Sequence, residues 1–478
     1  MKKILFLAIL MSSVILSGCE DFLEEAPKLT QSTELTLSTY NGLNNSIAGA
    51  YSPLADGQWY GAYYVLDAEM RSGNGKKPTA DGFDSGRMNT SYNLSYSENS
   101  TSGLWGYAYF VISAANNVID NLEGKESTDV SQQDLDNLRA EALFLRALAH
   151  FDLVRLYARS YAFNADGPGV PIILKTDATA TEQPARNTVK EVYEQVITDL
   201  KDAEQLMADD YIRTGVSDSR AVANKNVVRA LLARAYLYSQ QWQNAANYAT
   251  LVINSGDYTM WEANELADAY AVDKPTSGEV IFEIYGARAN SYDEYWEGPA
   301  HMTSPNGYAD CGASNDLYDI YEDGDARKEL FQTHEDADGQ YWTAKYIGKG
   351  LGTPEVSNVI VLRLSEMYLI RAEAILNGAS VTGVTALSDL NVITSKRNAE
   401  PYTSAGSDAV FMERRKELAF EGHLWFDASR TRRGITRTDY SGDAVNQNIP
   451  ADSYMFALPI AKRELDVNEN LVQNEGYN

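Results

Sequence analysis

Cysteine is almost absent: Cys19 and Cys311 are the only two in 478 residues, too few for a structural zinc site. Histidine is scarce too, at four, and His150, His301, His334 and His423 form neither an HExxH motif nor any pair at ligand spacing. There is no GxSxG elbow, no Walker loop and no strand-linked GxGxxG, so the common hydrolase, nucleotide and dinucleotide signatures are missing. Basic charge is short, with 40 Lys and Arg against 67 Asp and Glu. A net charge of −27 argues against nucleic acid and anionic membrane surfaces as binding partners. Asp/Gly clusters invite a calcium reading, but as an EF-hand loop centred on Gly339 the chain would place His334 first and Lys345 last. The Asn164–Gly167 stretch fails similarly, with Ala162 first and Ile173 last, leaving only an irregular calcium site open. No metal and no cofactor is expected.

Long apolar runs are confined to one place. Lys2 and Lys3 precede the 13 residues Ile4 to Leu16, too short to span a bilayer permanently, as in a cleaved signal peptide. Leu16-Ser17-Gly18-Cys19 resembles a bacterial lipobox, in which the cysteine is acylated and becomes the mature N-terminus. Residues 1–18 are therefore expected to be a lipoprotein signal peptide and 19–36 the acylated Cys19 with a flexible, acidic tether. Residues 37–478 are expected to form a single domain. With Cys19 lipidated, Cys311 has no partner for an intramolecular disulfide.

The strongest pattern runs from Ser131 to Ile173. Ser131 with Asp134 reads as a capping box, and the helix it opens should reach about Ser160. Apolar side chains occupy every side of it, so it should be buried all round. Its polar residues fall into the stripes Glu141/Asp152/Arg155 and Arg139/Arg146/His150/Tyr157, which inside a core need partners. Arg363 and Arg371 are the candidates for Glu141, and His150 reads as a packed core histidine. Thr188 and Glu191 form a second capping box for a helix to about Met207. From Val227 to Ile253, Leu232, Ala233, Tyr236, Trp242 and Ala245 sit at the offsets of a tetratricopeptide repeat, and Arg363 to Arg397 is a looser second pair. Glu279 to Tyr285 alternates and reads as a strand. Glu413, Glu417 and Glu421 share a helical face. Asp56–Asn99 and Gly286–Asn358 are irregular stretches of a length that is usually functional or flexible.

Several of these segments together resemble the SusD/RagB family of surface nutrient-binding lipoproteins. They are RAEALFLRALAHFDLVRLY with GVPII, the helix Leu104–Leu122, Asp316–Asp319 with the Asp325-Ala326-Arg327 turn, LRLSEMYLIRAEAIL, and ERRKELAFEGHLWFDASR. The tail matches through Leu458, Pro459, Ile460, Glu464, Asn468, Gln473, Asn474, Gly476 and Tyr477. The chain departs from the pattern at Leu424, Ala428-Ser429, Ala461, Glu469 and Glu475. The resemblance implies a mainly α SusD-like fold, with tetratricopeptide-type helical repeats, large irregular loop insertions and a few short strands. It implies a lipid-anchored, outward-facing place in the outer membrane. It also implies capture of an oligosaccharide for a partner TonB-dependent outer-membrane transporter of the SusC-like kind, without chemistry. Some relatives capture peptides instead. A surface glycosidase is the remaining alternative, since two carboxylates can hide among so many acids.

Tyrosine (31) far outnumbers phenylalanine (13), which favours rings with one hydrated end. A glycan site needs exposed rings flanked by Asn, Asp, Gln or Arg. Two groups in the irregular stretches fit. The first is Trp59, Tyr60 and Tyr64 beside Gln58 and Tyr63; the second is Tyr295, Trp296, Tyr308 and Trp342 beside Tyr292, Asn306 and Tyr341. The resemblance implies that such segments jointly form the ligand site. Trp105, Trp242, Trp261 and Trp425 lie in or beside helical patterns and are assigned to structure. Changing Cys19 to Ala should move the mature protein from the membrane to the soluble fraction. Protease added to intact cells should digest the wild type, and protection until lysis would rule out surface exposure.

Overall fold

The computed structural model describes residues 37–122, 130–176, 183–216, 219–271, 278–285, 298–348 and 357–477. The leader, Cys19 and the tether lie outside that set. The longer helices in chain order are α1 (Tyr40–Tyr51), α2 (Tyr63–Ser72), α3 (Leu104–Leu122), α4 (Gln132–Tyr157), α5 (Val189–Leu206) and α6 (Lys225–Tyr238). They continue as α7 (Trp242–Ile253), α8 (Leu364–Leu376), α9 (Ala386–Lys396), α10 (Ser407–Glu417) and α11 (Leu424–Arg430). The strands used below are β1 (Gly75–Lys76), β2 (Val280–Ile284), β3 (Gly312–Ala313), β4 (Phe331–Gln332), β5 (Trp342–Thr343) and β6 (Val359–Arg363). The fold is mainly α. Its strands pair only in two-stranded antiparallel ribbons, among them β1–β3, β2–β6 and β4–β5.

The central helix is α4. Both halves of its predicted capping box are present, Ser131 accepting from the Asp134 amide and Asp134 accepting from the Ser131 amide. It packs between α3 and α5; α5 packs on α6, α6 on α7, α7 on α8 and α8 on α9. This is the helical-repeat half that the two antiparallel pairs imply, with the tight α6–α7 turn made by Gln240 at φ +57°. A contiguous apolar core includes residues from Leu43 to Ile460. The β2 residues are buried on both faces, not on alternate ones as their pattern implies, because helices cover the ribbon. The Asp325–Arg327 turn forms, with the Arg327 guanidinium clasping Asp325 at 2.8–3.2 Å.

The α4 charges are clamped by other segments, but Glu141 has different partners from those expected. It accepts from Arg213 (2.6 Å), Tyr211 (2.6 Å) and Tyr51 (2.8 Å). Arg363 is instead committed to Glu279, Glu417 and Glu421, and Arg371 to Asp389. Helical spacing places a charge on a face without saying which distant segment covers that face. Arg146 holds Asp199 through two bonds of 2.7 and 2.8 Å and donates to Asn116 at 2.8 Å.

His150 is packed in the core, between the Arg146 carbonyl (3.0 Å) and the Ile173 amide (3.4 Å). Burial, then the charge of Arg146, lowers its pKa to about 3. The unfolded chain therefore takes up a proton near pH 6.5, while the folded chain refuses it until near pH 3. Stability from this group is complete above pH 6.5 and is lost as pH falls toward 3, at about 1.4 kcal/mol per pH unit. Urea unfolding between pH 6.5 and 5 should show a shallower pH slope in His150→Gln than in the wild type; identical slopes would mean the imidazole titrates normally.

Candidate functional site

The two irregular stretches of the sequence are joined in space. Gly75 and Lys76 of β1 pair with Ala313 and Gly312 of β3, and Ala313 bridges on to Tyr341. Alongside, the Ser314 amide donates to Asn74 (2.8 Å) and the Thr79 amide to the Gln340 side chain (2.7 Å). Lys76 reaches Asn315 and Asp439 at 3.0 and 2.7 Å. Gly75 lets the strand pass close to α2: a Cβ there would stand 2.7 Å from the Met70 sulfur, which would have to move aside.

The outer part of this seam is built on a tight turn. Gly307 donates to Ser304 and Tyr308 to the His301 carbonyl, both at 2.9 Å. A Cβ on Gly307 would lie 2.3 Å from that carbonyl, so only glycine fits. The turn presents Tyr308, half-buried, with the His301 ring edge-on at 4.5 Å and the Arg87 guanidinium 3.5 Å from its centroid. Arg87 is also 3.8 Å from Asp310, whose carboxylate accepts from the Ser85 amide (2.5 Å) and hydroxyl (2.7–2.8 Å). Burial raises the Asp310 pKa, and the Ser85 bonds and Arg87 oppose that rise. Asn306, two residues before Tyr308 in the turn, is exposed. A half-buried aromatic ring and a partly exposed guanidinium thus meet at one rim, with the buried Asp310 carboxylate holding Ser85 and lying near Arg87 from beneath. That set can bind a hydroxylated ring.

Comparison with known proteins meets the same architecture. A family model described as "Starch-binding associating with outer membrane" matches residues 21–237, and a SusD family model matches residues 338–477. The chain belongs to the SusD/RagB family. It is 27% identical to SusD-like protein P2 of Formosa agariphila over 99% of each chain. A SusD superfamily protein from Bacteroides vulgatus superposes with a TM-score of 0.81 at 29% identity, over 91% of this chain and 98% of the other. A putative sugar binding protein from the same species gives 0.80 at 25% identity, over 91% and 98%.

In this SusD-like chain most of the anticipated ring platform is not at the surface. Trp59, Tyr60 and Tyr64 are buried, and all three point at one carboxylate of the central helix. The Trp59 indole N–H and the Tyr60 hydroxyl donate to Asp152 Oδ2 at 2.9 and 2.7 Å, and the Tyr64 hydroxyl to Oδ1 at 2.7 Å. They clamp α4 and have no free face for a sugar. Trp342 is buried too, against Phe83 at 5.4 Å, with its N–H on the Ala309 carbonyl (2.9 Å). It holds the seam together from beneath. Tyr295 and Trp296 lie outside the described residues. Among the described residues, Tyr308 alone of the anticipated rings stands at the rim. Tyr341 stacks on Tyr318 at 3.8 Å, both half-buried. Of the helical tryptophans, Trp105, Trp261 and Trp425 are buried as expected, whereas Trp242 is only half-buried.

Arg87 and Asp310 had no sequence signal of their own, because each acquires meaning from a partner on the other stretch. Deleting a large core aromatic costs about 3–5 kcal/mol. Trp59→Ala and Trp342→Ala should therefore each lower stability by about that much in urea unfolding, and near-wild-type stability would show these rings to be surface groups.

Proposed function

We propose that this protein is a cell-surface binding lipoprotein that captures an oligosaccharide and delivers it to a partner TonB-dependent outer-membrane transporter. The observation that carries the reading is the Tyr308–Arg87 rim, backed from beneath by the buried Asp310, where two stretches more than 200 residues apart converge on one half-buried ring. Sugars present flat C–H faces edged by hydroxyls, and this rim offers a ring with a guanidinium beside it. Family membership supports a glycan as ligand, as does a relative described as a sugar binding protein.

Capture, not hydrolysis, fits the carboxylates. The conspicuous acidic set of Glu413, Glu417 and Glu421 is occupied by buried arginines and lysine. A single site of this kind gives about −4 to −8 kcal/mol, millimolar to micromolar, and tethering to a transporter raises the effective concentration. No described helix is long and apolar enough to cross a membrane; the lipobox-like Leu16–Cys19 supports attachment through an acylated Cys19.

Calorimetric titration against a panel of neutral oligosaccharides should give binding that Tyr308→Ala and Arg87→Gln each weaken about tenfold or more, with melting temperatures close to wild type. Unchanged affinity in both variants would move the site elsewhere. A wild type that ignores every glycan but retains peptides would make this a peptide-capturing relative.

A further inference from the structure

A second recess lies on the helical half, away from the seam in the chain and built from other elements. It has a volume of about 310 Å³, at the small end of ligand pockets, and sits where α7, the end of α8, α10 and the end of α11 meet. Trp242 and Phe411, both half-buried, form aromatic walls, and Asn377 and Gln240, both exposed, bring amides to the edge. The floor is a closed pair: Arg430 donates two bonds to Glu373, at 2.5 and 2.8 Å, and a third to Asp427 at 2.8 Å. That pair is neutral and fixed.

The mouth is positive. Arg432 is exposed and makes no ion pair among the described residues; its guanidinium lies 4.6 Å from the Phe163 ring, which Arg159 covers from 3.6 Å. Arg433 stands over Phe411 at 4.6 Å, donates to the Ser407 hydroxyl at 3.3 Å, and among the described residues forms an ion pair only with the largely exposed Asp408, a weak attachment. The Arg159 pKa is lowered, first by burial and then by Arg432, as expected where cations crowd together. On a chain of net charge −27 such a patch is unusual.

Backbone conformation adds an independent sign. Only six non-glycine residues among those described adopt positive φ, and two of them, Gln240 (+57°) and Arg432 (+56°), line this one recess. A left-handed backbone at a long side chain is costly and persists where surrounding structure imposes it, often at binding sites. Here it turns an arginine and a glutamine to the same opening.

We propose that this recess is a second glycan subsite, selective for a sugar ring that carries a carboxylate or a sulfate ester. Arg432 and Arg433 supply planar donor forks that match either anion. Trp242 and Phe411 pack against the ring, and Asn377 and Gln240 take its hydroxyls. An acidic peptide would satisfy the arginines but has no use for two aromatic walls.

Titration of the purified full chain with an oligogalacturonate, a sulfated oligosaccharide, a neutral oligosaccharide of the same length and an oligoglutamate tests this. One or both anionic sugars should bind at least about tenfold more tightly than the neutral one, and the preference should shrink as salt is raised. Whichever anion binds better distinguishes carboxylate from sulfate as the group recognised. Arg432→Gln should abolish the preference and Arg433→Gln reduce it, both with unchanged melting, because neither side chain is in the core. Equal affinity for the neutral sugar, binding of neither anionic sugar at millimolar concentration, tighter binding of the oligoglutamate, or a preference that survives Arg432→Gln would each overturn the proposal. Loss in Tyr308→Ala with retention in Arg432→Gln would overturn it as well, by placing the anion at the seam.

Discussion

Glu417 is the charge on which the architecture turns. It is fully buried and accepts from Arg327, Arg363 and Arg397, three arginines from three different parts of the chain. Burial pushes its pKa up, but Arg397, Arg363 and Arg327 outweigh burial and hold the carboxyl well below the usual range. Glu413, one turn earlier in α10, and Glu421, which lies past the end of that helix and not on its face as the spacing implied, extend the same contact to Arg327 and to Arg363 with Lys345. Glu279, at the start of β2, closes the network from the other side through Arg363 and Arg397. The Asp325–Arg327 turn, the β2–β6 ribbon, the end of α9 and α10 are thereby tied at one point. Removing one partner from such a network costs about 3–5 kcal/mol, mostly because the others are left buried and uncompensated.

A second anchor of the same kind is Asp152. Its carboxylate accepts from Trp59, Tyr60 and Tyr64 and lies 3.4 Å from Arg155, which in turn covers the Phe426 ring at 4.1 Å. A buried carboxylate needs donors, and an indole N–H or phenol O–H supplies one while its ring fills apolar space. The first irregular stretch is therefore fastened to the central helix at its beginning. Its middle then crosses to the second irregular stretch through β1 and β3. Rigidity at Asp152 and at Trp342 is what allows the rim carrying Arg87 and Tyr308 to keep a defined shape without a helix or sheet of its own.

The two candidate ligand regions divide along this structure. The seam is made of loops held by a scaffold, the arrangement in which binding residues usually occur. The recess by Trp242 is made of helix ends, where a tetratricopeptide-like turn leaves an aromatic residue half-covered and the α11 terminus delivers two arginines. Both combine rings with planar charged or amide groups, but only the second concentrates positive charge.

Much of the fold follows from local pattern alone. The all-round burial of α4, its capping box and that of α5, the α6–α7 repeat and the Asp-x-Arg turn all depend on residues within a few positions of each other, and a sequence displays those relations directly. The family could be read from these elements, since its motifs lie in buried helices. What only tertiary structure decided was which distant groups meet. Spacing could say that Glu141 needs a cation but not that Arg213 provides it, because helical periodicity carries no information about the covering segment. Likewise Trp59, Tyr60, Tyr64 and Trp342 sit in stretches without periodicity, which suggests exposure. They are buried because polar ring atoms find acceptors, on Asp152 and on the Ala309 carbonyl, that lie about 90 and 30 residues away. Lack of a repeating pattern marks neither irregular backbone nor the presence of water: Tyr64 lies in α2 and Trp342 in β5, and each side chain is inside because its hydrogen-bond partner is there.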